Sequence, residues 1–132
     1  MHLSKFSDYS FRALVYLAKH PDELCTIETL ANEAQTSIHH MKKVIHKLSM
    51  LEYIDAKKGR NGGVILGKKP NQINLKDVLL ATEENLQLVE CLRQNQQCHM
   101  NQVGCHLQGI VSQATNQFLQ TFSMYTIQDL IK

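Results

Sequence analysis

A chain of 132 residues, of which 43% are hydrophobic, is long enough for one domain, or for one small domain with an added helix. It has no run of about 18 apolar residues and no apolar stretch near its first residue, which argues against a membrane span and a secretory signal. We therefore expect a cytoplasmic protein whose four cysteines are reduced thiols. The net charge is only +2, but residues 39–69 carry eight Lys and Arg against two Asp and Glu. This uneven charge indicates a polyanionic partner on one face.

The first predicted helix spans residues 4–19, where apolar residues recur every three or four positions. Ser4 or Ser7 can cap its start. The helix is expected to end before Pro21, because the residue that precedes a proline avoids helical dihedral angles. Asp8 falls in the first turn, where the helix dipole stabilises a carboxylate.

Two further helices predict a helix-turn-helix. The second covers residues 26–35 with Thr26 as its cap, and the third covers residues 37–53 with Ser37 as its cap. Apolar spacing predicts the inward side of the third helix: Ile38, Met41, Val44, Ile45 and Leu48. Its outward side is basic and suits a groove lined by phosphates: His39, His40, Lys42, Lys43, His46 and Lys47.

A basic β-hairpin is predicted directly after the third helix. One strand begins at residues 53–54 and its partner is residues 64–66. Asn61 and Gly62 are a favoured pair for a type I′ turn, in which both positions need positive φ. The tip carries Lys57, Lys58 and Arg60, and it is narrow enough for an arginine to enter a minor groove. A helix-turn-helix followed by such a hairpin predicts a winged helix that binds DNA.

The second half of the chain is predicted to be helical. Asn74 caps a fourth helix over residues 74–90, with Leu75, Val78, Leu79 and Leu86 inward. A fifth helix, from about residue 106 to 122, carries an apolar stripe that little of its own chain can cover. Since DNA-binding proteins are often two-fold symmetric, we interpret this stripe as a dimer interface. Residues 125–132 are expected to form a short helical turn that packs back.

Three cysteines lie between the fourth and fifth helices, in a polar stretch over residues 90–106. Cys91, Cys98 and Cys105 are separated by six residues each, and the stretch has few apolar side chains to bury. Three thiolates can hold an iron–sulfur cluster, which would order a loop that packing cannot. Such a cluster needs a further oxygen or nitrogen ligand, which makes it labile and suits a sensor.

Other interpretations of the cysteines remain open. His99 and His106 each follow a cysteine and can complete a zinc site, although structural zinc usually takes more closely spaced pairs. A metal-free redox switch can form a disulfide under oxidation. Cys25 stands apart and is expected to be a buried residue. An enzyme is a third class, but no catalytic triad or paired carboxylates support it, so we expect a protein that is not an enzyme.

The sequence resembles the winged-helix iron–sulfur transcriptional repressors, the family that includes the nitric-oxide sensor NsrR and the cluster-biogenesis regulator IscR. The resemblance runs almost from end to end. It is carried by residues 7–18, 26–51, 58–73 and 125–131 and by the three cysteines after the fourth helix. The opening SDYSFRAL and the closing YTIQDLI are most similar to the NsrR-like members.

This resemblance implies a homodimer with a [4Fe–4S] or [2Fe–2S] cluster on Cys91, Cys98 and Cys105. In NsrR-like members an aspartate near the N-terminus of the partner chain is the fourth ligand, and Asp8 stands at the matching place. In IscR-like members a histidine in the last loop serves instead, which makes His106 the rival. The intervals of six residues differ from those usual in either subgroup, so cluster type and fourth ligand stay open.

The predicted fold is mainly α with a small β-hairpin wing. Residues 1–73 would form a winged helix-turn-helix DNA-binding domain. Residues 74–132 would supply a linker helix, the cluster-binding loop and a long C-terminal dimerisation helix. The hypothesis is a repressor that binds a near-palindromic promoter site in double-stranded DNA and releases it when nitric oxide attacks the cluster. The alternatives are an IscR-like or a metal-independent thiol-responsive regulator. The predicted DNA contacts are Ser37, His39, His40, Lys42, Lys43, Lys57, Arg60, Asn61 and Gly62.

Overall fold

The computed structural model describes residues 2–86 and 106–132 of the chain. This part is mainly α-helical with one two-stranded antiparallel sheet, as predicted. Its elements in chain order are α1 (Lys5–Lys19), α2 (Ile27–Ala34), α3 (Ile38–Met50), β1 (Ile54–Lys57), β2 (Gly63–Leu66), a 3₁₀ turn (Pro70–Gln72), α4 (Leu75–Thr82), α5 (Leu107–Ser123) and α6 (Ile127–Leu130).

Hydroxyl caps start the first three helices, as the sequence predicts. In each, a side-chain oxygen accepts the backbone N–H three residues on, at 3.1 Å. These caps are Ser4, Thr26 and Ser37. Each such cap contributes about 1 kcal/mol to stability. Of the two alternatives for α1, Ser4 is the cap, and Ser7 is fully buried one turn later.

The helix-turn-helix is closed by a backbone turn at Gln35, which has φ 57° and ψ 46°. Thr36 N–H donates to the Ala31 carbonyl at 3.0 Å, so the left-handed residue satisfies the free end of α2. The core between α1, α2 and α3 is apolar and fully enclosed, and its largest members are Leu14, Leu17, Leu30, Met41 and Leu48. Burial at these positions fixes the angle at which α3 leaves the turn.

Two details predicted for α3 are wrong. The helix ends at Met50 rather than Tyr53, because Glu52 takes φ 65° and Tyr53 N–H donates back to the Leu48 carbonyl at 3.0 Å. This left-handed ending lets the chain enter β1 directly. Ile38 is 44% exposed instead of inward, since it occupies the first helical position, beyond the reach of the core.

The hairpin is present, but its predicted turn type is wrong. The register pairs Lys57 with Gly63, so five residues form the loop, rather than the two of a type I′ turn. Positive φ occurs at Gly59 (112°) and not at Asn61 or Gly62. A Cβ at Gly62 would overlap the Lys57 carbonyl oxygen, so glycine is required there by close backbone approach.

The fourth helix is shorter than predicted. It ends at Thr82, and Glu83 has the extended angles φ −88° and ψ 129°. Leu86, expected on the inward face of the helix, lies beyond its end and is half-buried. Residues 87–90 of the predicted helix lie outside the described residues.

The long helix α5 leaves its apolar stripe exposed and is held at its C-terminal end. Ile110 is 63% exposed, and no residue of α5 is buried. Asn74 Nδ2 donates to the Ser123 carbonyl at 2.8 Å. Ile127 is fully buried in α6, which confirms that the tail packs back. None of the helices in residues 2–86 and 106–132 combines the length and apolar character needed to cross a bilayer.

Candidate nucleic-acid interface and metal centre

The third helix separates its apolar and basic residues onto opposite faces. Met41, Val44, Ile45 and Leu48 are at most 4% exposed. The residues predicted to contact DNA from this helix are all exposed: Ser37, His39, His40, Lys42 and Lys43. Such a face can approach phosphates and base edges without moving the core.

Aromatic contacts hold the start of this basic face. The ring centroids of Tyr9 and His40 are 6.3 Å apart, and His40 Nδ1 lies 3.5 Å from the Thr36 hydroxyl. The imidazole is thus placed between α1 and the turn that precedes α3. These contacts orient one predicted DNA-binding side chain at the start of α3.

The wing adds a second exposed basic surface. Lys57, Arg60 and Asn61 are exposed, while Gly62 is half-buried where the loop folds back. Among the described residues, the side-chain ion pairs join Arg12 to Asp8 and Lys132 to Asp129. The basic side chains of α3 and the wing therefore keep charge available for a polyanion.

Cys25 has a structural role that the sequence did not reveal. Its backbone forms an isolated antiparallel bridge with Val64 in β2, with N–H to carbonyl distances of 2.9 and 2.8 Å. The side chain is 6% exposed, as predicted. Burial, together with the nearby Glu33 and Glu23 carboxylates, raises the pKa of the Cys25 thiol. A protonated thiol is a poor ligand and nucleophile, so burial at this site favours a structural role for Cys25.

The two proposed fourth ligands are both accessible. Asp8 forms a two-point ion pair with Arg12, at 3.2 Å to Nε and to Nη2, and its side chain is 48% exposed. Arg12 Nη1 also lies 3.5 Å from the Ala34 carbonyl at the end of α2. His106 is exposed at the start of α5 and makes no side-chain cap.

Cys91, Cys98 and Cys105 lie outside the described residues, as does His99. Within the two described ranges, His, Cys, Asp and Glu side chains form no group of three that could hold a metal ion. The chemistry of the full donor set fits an iron–sulfur cluster, since three thiolates and one carboxylate or imidazole are suitable iron ligands. Asp8 can join such a set at small cost, because an exposed ion pair contributes only about 0–1 kcal/mol.

A further contact links α1 to the end of α4, and no sequence pattern indicated it. The Ser7 and Thr82 hydroxyls are 2.7 Å apart and buried. The Ser4 N–H donates to Glu83 Oε1 at 2.6 Å. We call the contact among Ser4, Ser7, Thr82 and Glu83 the α1–α4 junction. Because the partners are more than 70 residues apart, no local pattern could have identified them.

Comparisons with known proteins agree with this geometry. Residues 3–132 match the Rrf2 family, described as iron-dependent transcriptional regulators. The chain is 41% identical over 133 residues to the HTH-type transcriptional regulator NsrR of Shouchella clausii, covering 99% of this chain and 89% of that protein. It is 35% identical over 133 residues to NsrR of Bacillus subtilis, covering 100% and 91%.

Solved structures show the same fold. T. potens IscR has a TM-score of 0.74 at 17% identity, with 99% of this chain and 86% of that chain covered. CymR (YrzC), the global cysteine regulator of B. subtilis, has a TM-score of 0.69 at 20% identity, with 99% and 96% covered. At these identities the likeness concerns the winged-helix architecture alone.

Proposed function

The chain belongs to the Rrf2 family of iron-dependent transcriptional regulators, and from this premise we propose that it is a repressor whose promoter binding is controlled by a nitric-oxide-reactive iron–sulfur cluster. The family makes it a DNA-binding transcriptional regulator and confirms the expectation that it is not an enzyme. The exposed basic face of α3 and the basic wing that follows it carry the DNA-binding part of the proposal. The cluster part rests on the three thiolates that Cys91, Cys98 and Cys105 can supply. We place the protein in the cytoplasm, where promoter DNA lies and thiols stay reduced.

DNA contact follows from the two basic surfaces. The first turns of α3 enter the major groove, with His39, His40 and Lys43 toward base edges and phosphates. Lys57 and Arg60 reach the backbone or the adjacent minor groove. Two such DNA-binding domains related by a two-fold axis would bind a near-palindromic site in double-stranded DNA, with half-sites spaced by whole helical turns.

A homodimer through α5 is supported by the apolar side chains that this helix exposes. Leu107 is 54%, Ile110 63% and Phe118 39% exposed, and they recur at helical spacing. A second copy can cover such a stripe by self-complementary packing about a two-fold axis. The C-terminal end of α5 is bonded to Asn74, so a dimer built on this helix would also orient α4.

The cluster ligands we propose are Cys91, Cys98 and Cys105, with Asp8 of the partner chain as the fourth and His106 as its rival. When bound, the cluster supplies iron sites that react with nitric oxide. Each carboxylate oxygen of Asp8 bonds a different nitrogen of Arg12, so an oxygen that held iron would give up one of these two bonds. Arg12 Nη1 in turn lies 3.5 Å from the Ala34 carbonyl at the end of α2. A change of ligand at Asp8 would therefore alter the contact of Arg12 with the end of α2 in the helix-turn-helix.

The central experiment measures iron, acid-labile sulfide and promoter affinity on anaerobically purified protein, before and after a nitric-oxide donor. We expect a brown, charge-transfer-absorbing dimer that loses affinity by about 5- to 150-fold on reaction, the range of ordinary allosteric coupling. Colourless protein with full affinity would instead indicate the metal-independent regulator. Affinity that responds to iron supply but not to nitric oxide would indicate the IscR-like alternative.

Replacing Arg60 by alanine is expected to weaken promoter binding while leaving the iron content unchanged, because Arg60 is a proposed DNA contact and not a proposed cluster ligand. If Arg60 contacts a phosphate, the slope of log affinity against log salt concentration should fall by about one unit. Lys19→Ala is the matched control, since it removes the same charge from an exposed site at the far end of α1. Equal weakening by both substitutions would show a general charge effect and contradict a wing contact.

A further inference from the structure

We propose that Ser7 is a positioning residue: its bond to Thr82 couples the end of α4, which leads to the cysteines, to the first turns of α1. This inference rests on the proposed function and concerns its regulation. The bond joins two segments that lie close in the chain to proposed cluster ligands. Thr82 ends α4 nine residues before Cys91, and Ser7 immediately precedes Asp8.

The hydroxyl geometry gives the contact a direction. Thr82 Oγ1 lies 2.8 Å from the Val78 carbonyl, which can only accept, so the Thr82 proton goes there. The Ser7 hydroxyl is then the donor to Thr82 at 2.7 Å. Ser4 Oγ, 3.3 Å from Ser7 Oγ, donates in turn. The result is one chain of hydroxyl bonds from the cap of α1 to the backbone of α4, in which each bond strengthens the next.

A second bond fixes the same junction. Glu83 Oε1 accepts the Ser4 N–H at 2.6 Å, and a carboxylate at this position also faces the positive end of the α1 dipole. Glu83 is the residue at which the backbone leaves the helical conformation. The end of α4 is therefore set by contact with α1 as well as by its own sequence.

From this junction the path to the DNA-binding face is short and packed. The helix α1 contacts α2, α3, α4 and α6. Its Arg12 reaches the Ala34 carbonyl at the end of α2. A displacement of α4 at Thr82 thus moves α1 and the turn before α3 together. The coupling is physical contact between rigid elements and needs no flexible intermediate.

The test is Ser7→Ala, with Ser10→Ala as the matched control. Ser7→Ala removes the bond between helices but leaves Thr82 bonded to Val78, so no buried group is orphaned. Ser10 is equally buried on α1, and its hydroxyl donates within that helix, to the Phe6 carbonyl at 2.7 Å, with no bond to α4 among residues 2–86 and 106–132. Both variants lose one buried hydroxyl from one helix. Ser7→Ala removes the bonds to Ser4 and to Thr82, of which only the bond to Thr82 reaches α4.

The first readout is amide hydrogen exchange on metal-free protein. Ser7→Ala should speed exchange at the last turn of α4 and the first turn of α1 by about 2- to 10-fold, as loss of one net hydrogen bond predicts. Ser10→Ala should leave exchange in α4 at the parent rate. Unchanged exchange in α4 of Ser7→Ala would overturn the inference whether or not a cluster exists.

The second readout is the ratio of promoter affinities with and without the cluster. In Ser7→Ala this ratio should shrink by about threefold or more from its parent value, with iron content unchanged, while Ser10→Ala keeps the parent ratio. If the promoter affinity of the parent protein does not depend on its iron content, the proposed function is wrong. The hydrogen-exchange readout would still test the bond between Ser7 and Thr82. A parent ratio retained in Ser7→Ala refutes the coupling role alone.

Discussion

Cys98→Ser is expected to abolish the iron and sulfide content of anaerobically purified protein and to lower promoter affinity by about 5- to 150-fold. A serine hydroxyl stays protonated at neutral pH and is a harder donor than a thiolate, so it cannot hold the iron. Absorption spectra and iron analysis measure the first effect. Fluorescence anisotropy on a labelled promoter fragment, with and without a nitric-oxide donor, measures the second.

Cys25→Ala is the matched control for this experiment. It removes the one cysteine that the structure describes, a buried thiol whose backbone is bridged to Val64. Its iron content and nitric-oxide response should equal those of the parent, with only a modest loss of stability from the smaller side chain. The sensing model is wrong if Cys98→Ser binds the promoter as tightly as the parent under both conditions.

Leu48→Ala is expected to lower the free energy of unfolding by about 2–5 kcal/mol, a large part of the total for a small domain. Leu48 is fully buried on α3, and its carbonyl accepts the Tyr53 N–H that turns the chain into the wing. Truncation leaves a cavity at the centre of the helix-turn-helix. Urea denaturation followed by circular dichroism gives the change.

The comparison for this substitution is Ile38→Ala on the same helix. Because Ile38 is 44% exposed, its truncation should change the free energy of unfolding by about 0.5 kcal/mol or less. Similar losses for the two variants would contradict the burial pattern of α3 described above. The promoter affinity of the Ile38 variant reports separately on whether this exposed side chain touches DNA.

The sequence predicted the elements better than their ends. Side-chain caps at Ser4, Thr26 and Ser37 act within three residues, so their sequence signals are local and reliable. The end of α4 was missed because Glu83 and Glu84 have good helical propensity, whereas the contact of Thr82 and Glu83 with α1 comes from tertiary packing. The prediction of a type I′ turn was wrong because loop length depends on strand register, which a dipeptide does not determine.

In the candidate site, too, local features were predicted and contacts between distant segments were missed. The exposure of the basic residues of α3 was predicted correctly except at Lys47, which is half-buried, because the 3.6-residue period places them on the face opposite the buried Met41 and Val44. The pairing of Asp8 with Arg12 also spans one turn and was within reach of the spacing alone. The bond between Ser7 and Thr82 could not be predicted, since it depends on how two distant helices pack. The cluster ligands remain a prediction.

The backbone bridge between Cys25 and Val64 has a mechanical consequence. It fastens the second wing strand to the segment that joins α1 and α2, on the side away from the hairpin partner. The base of the wing therefore cannot separate from this segment without breaking two backbone hydrogen bonds. In the proposed dimer, a promoter would be released by a movement that carries the base of the wing together with the segment between α1 and α2, as the contact from α4 through α1 requires.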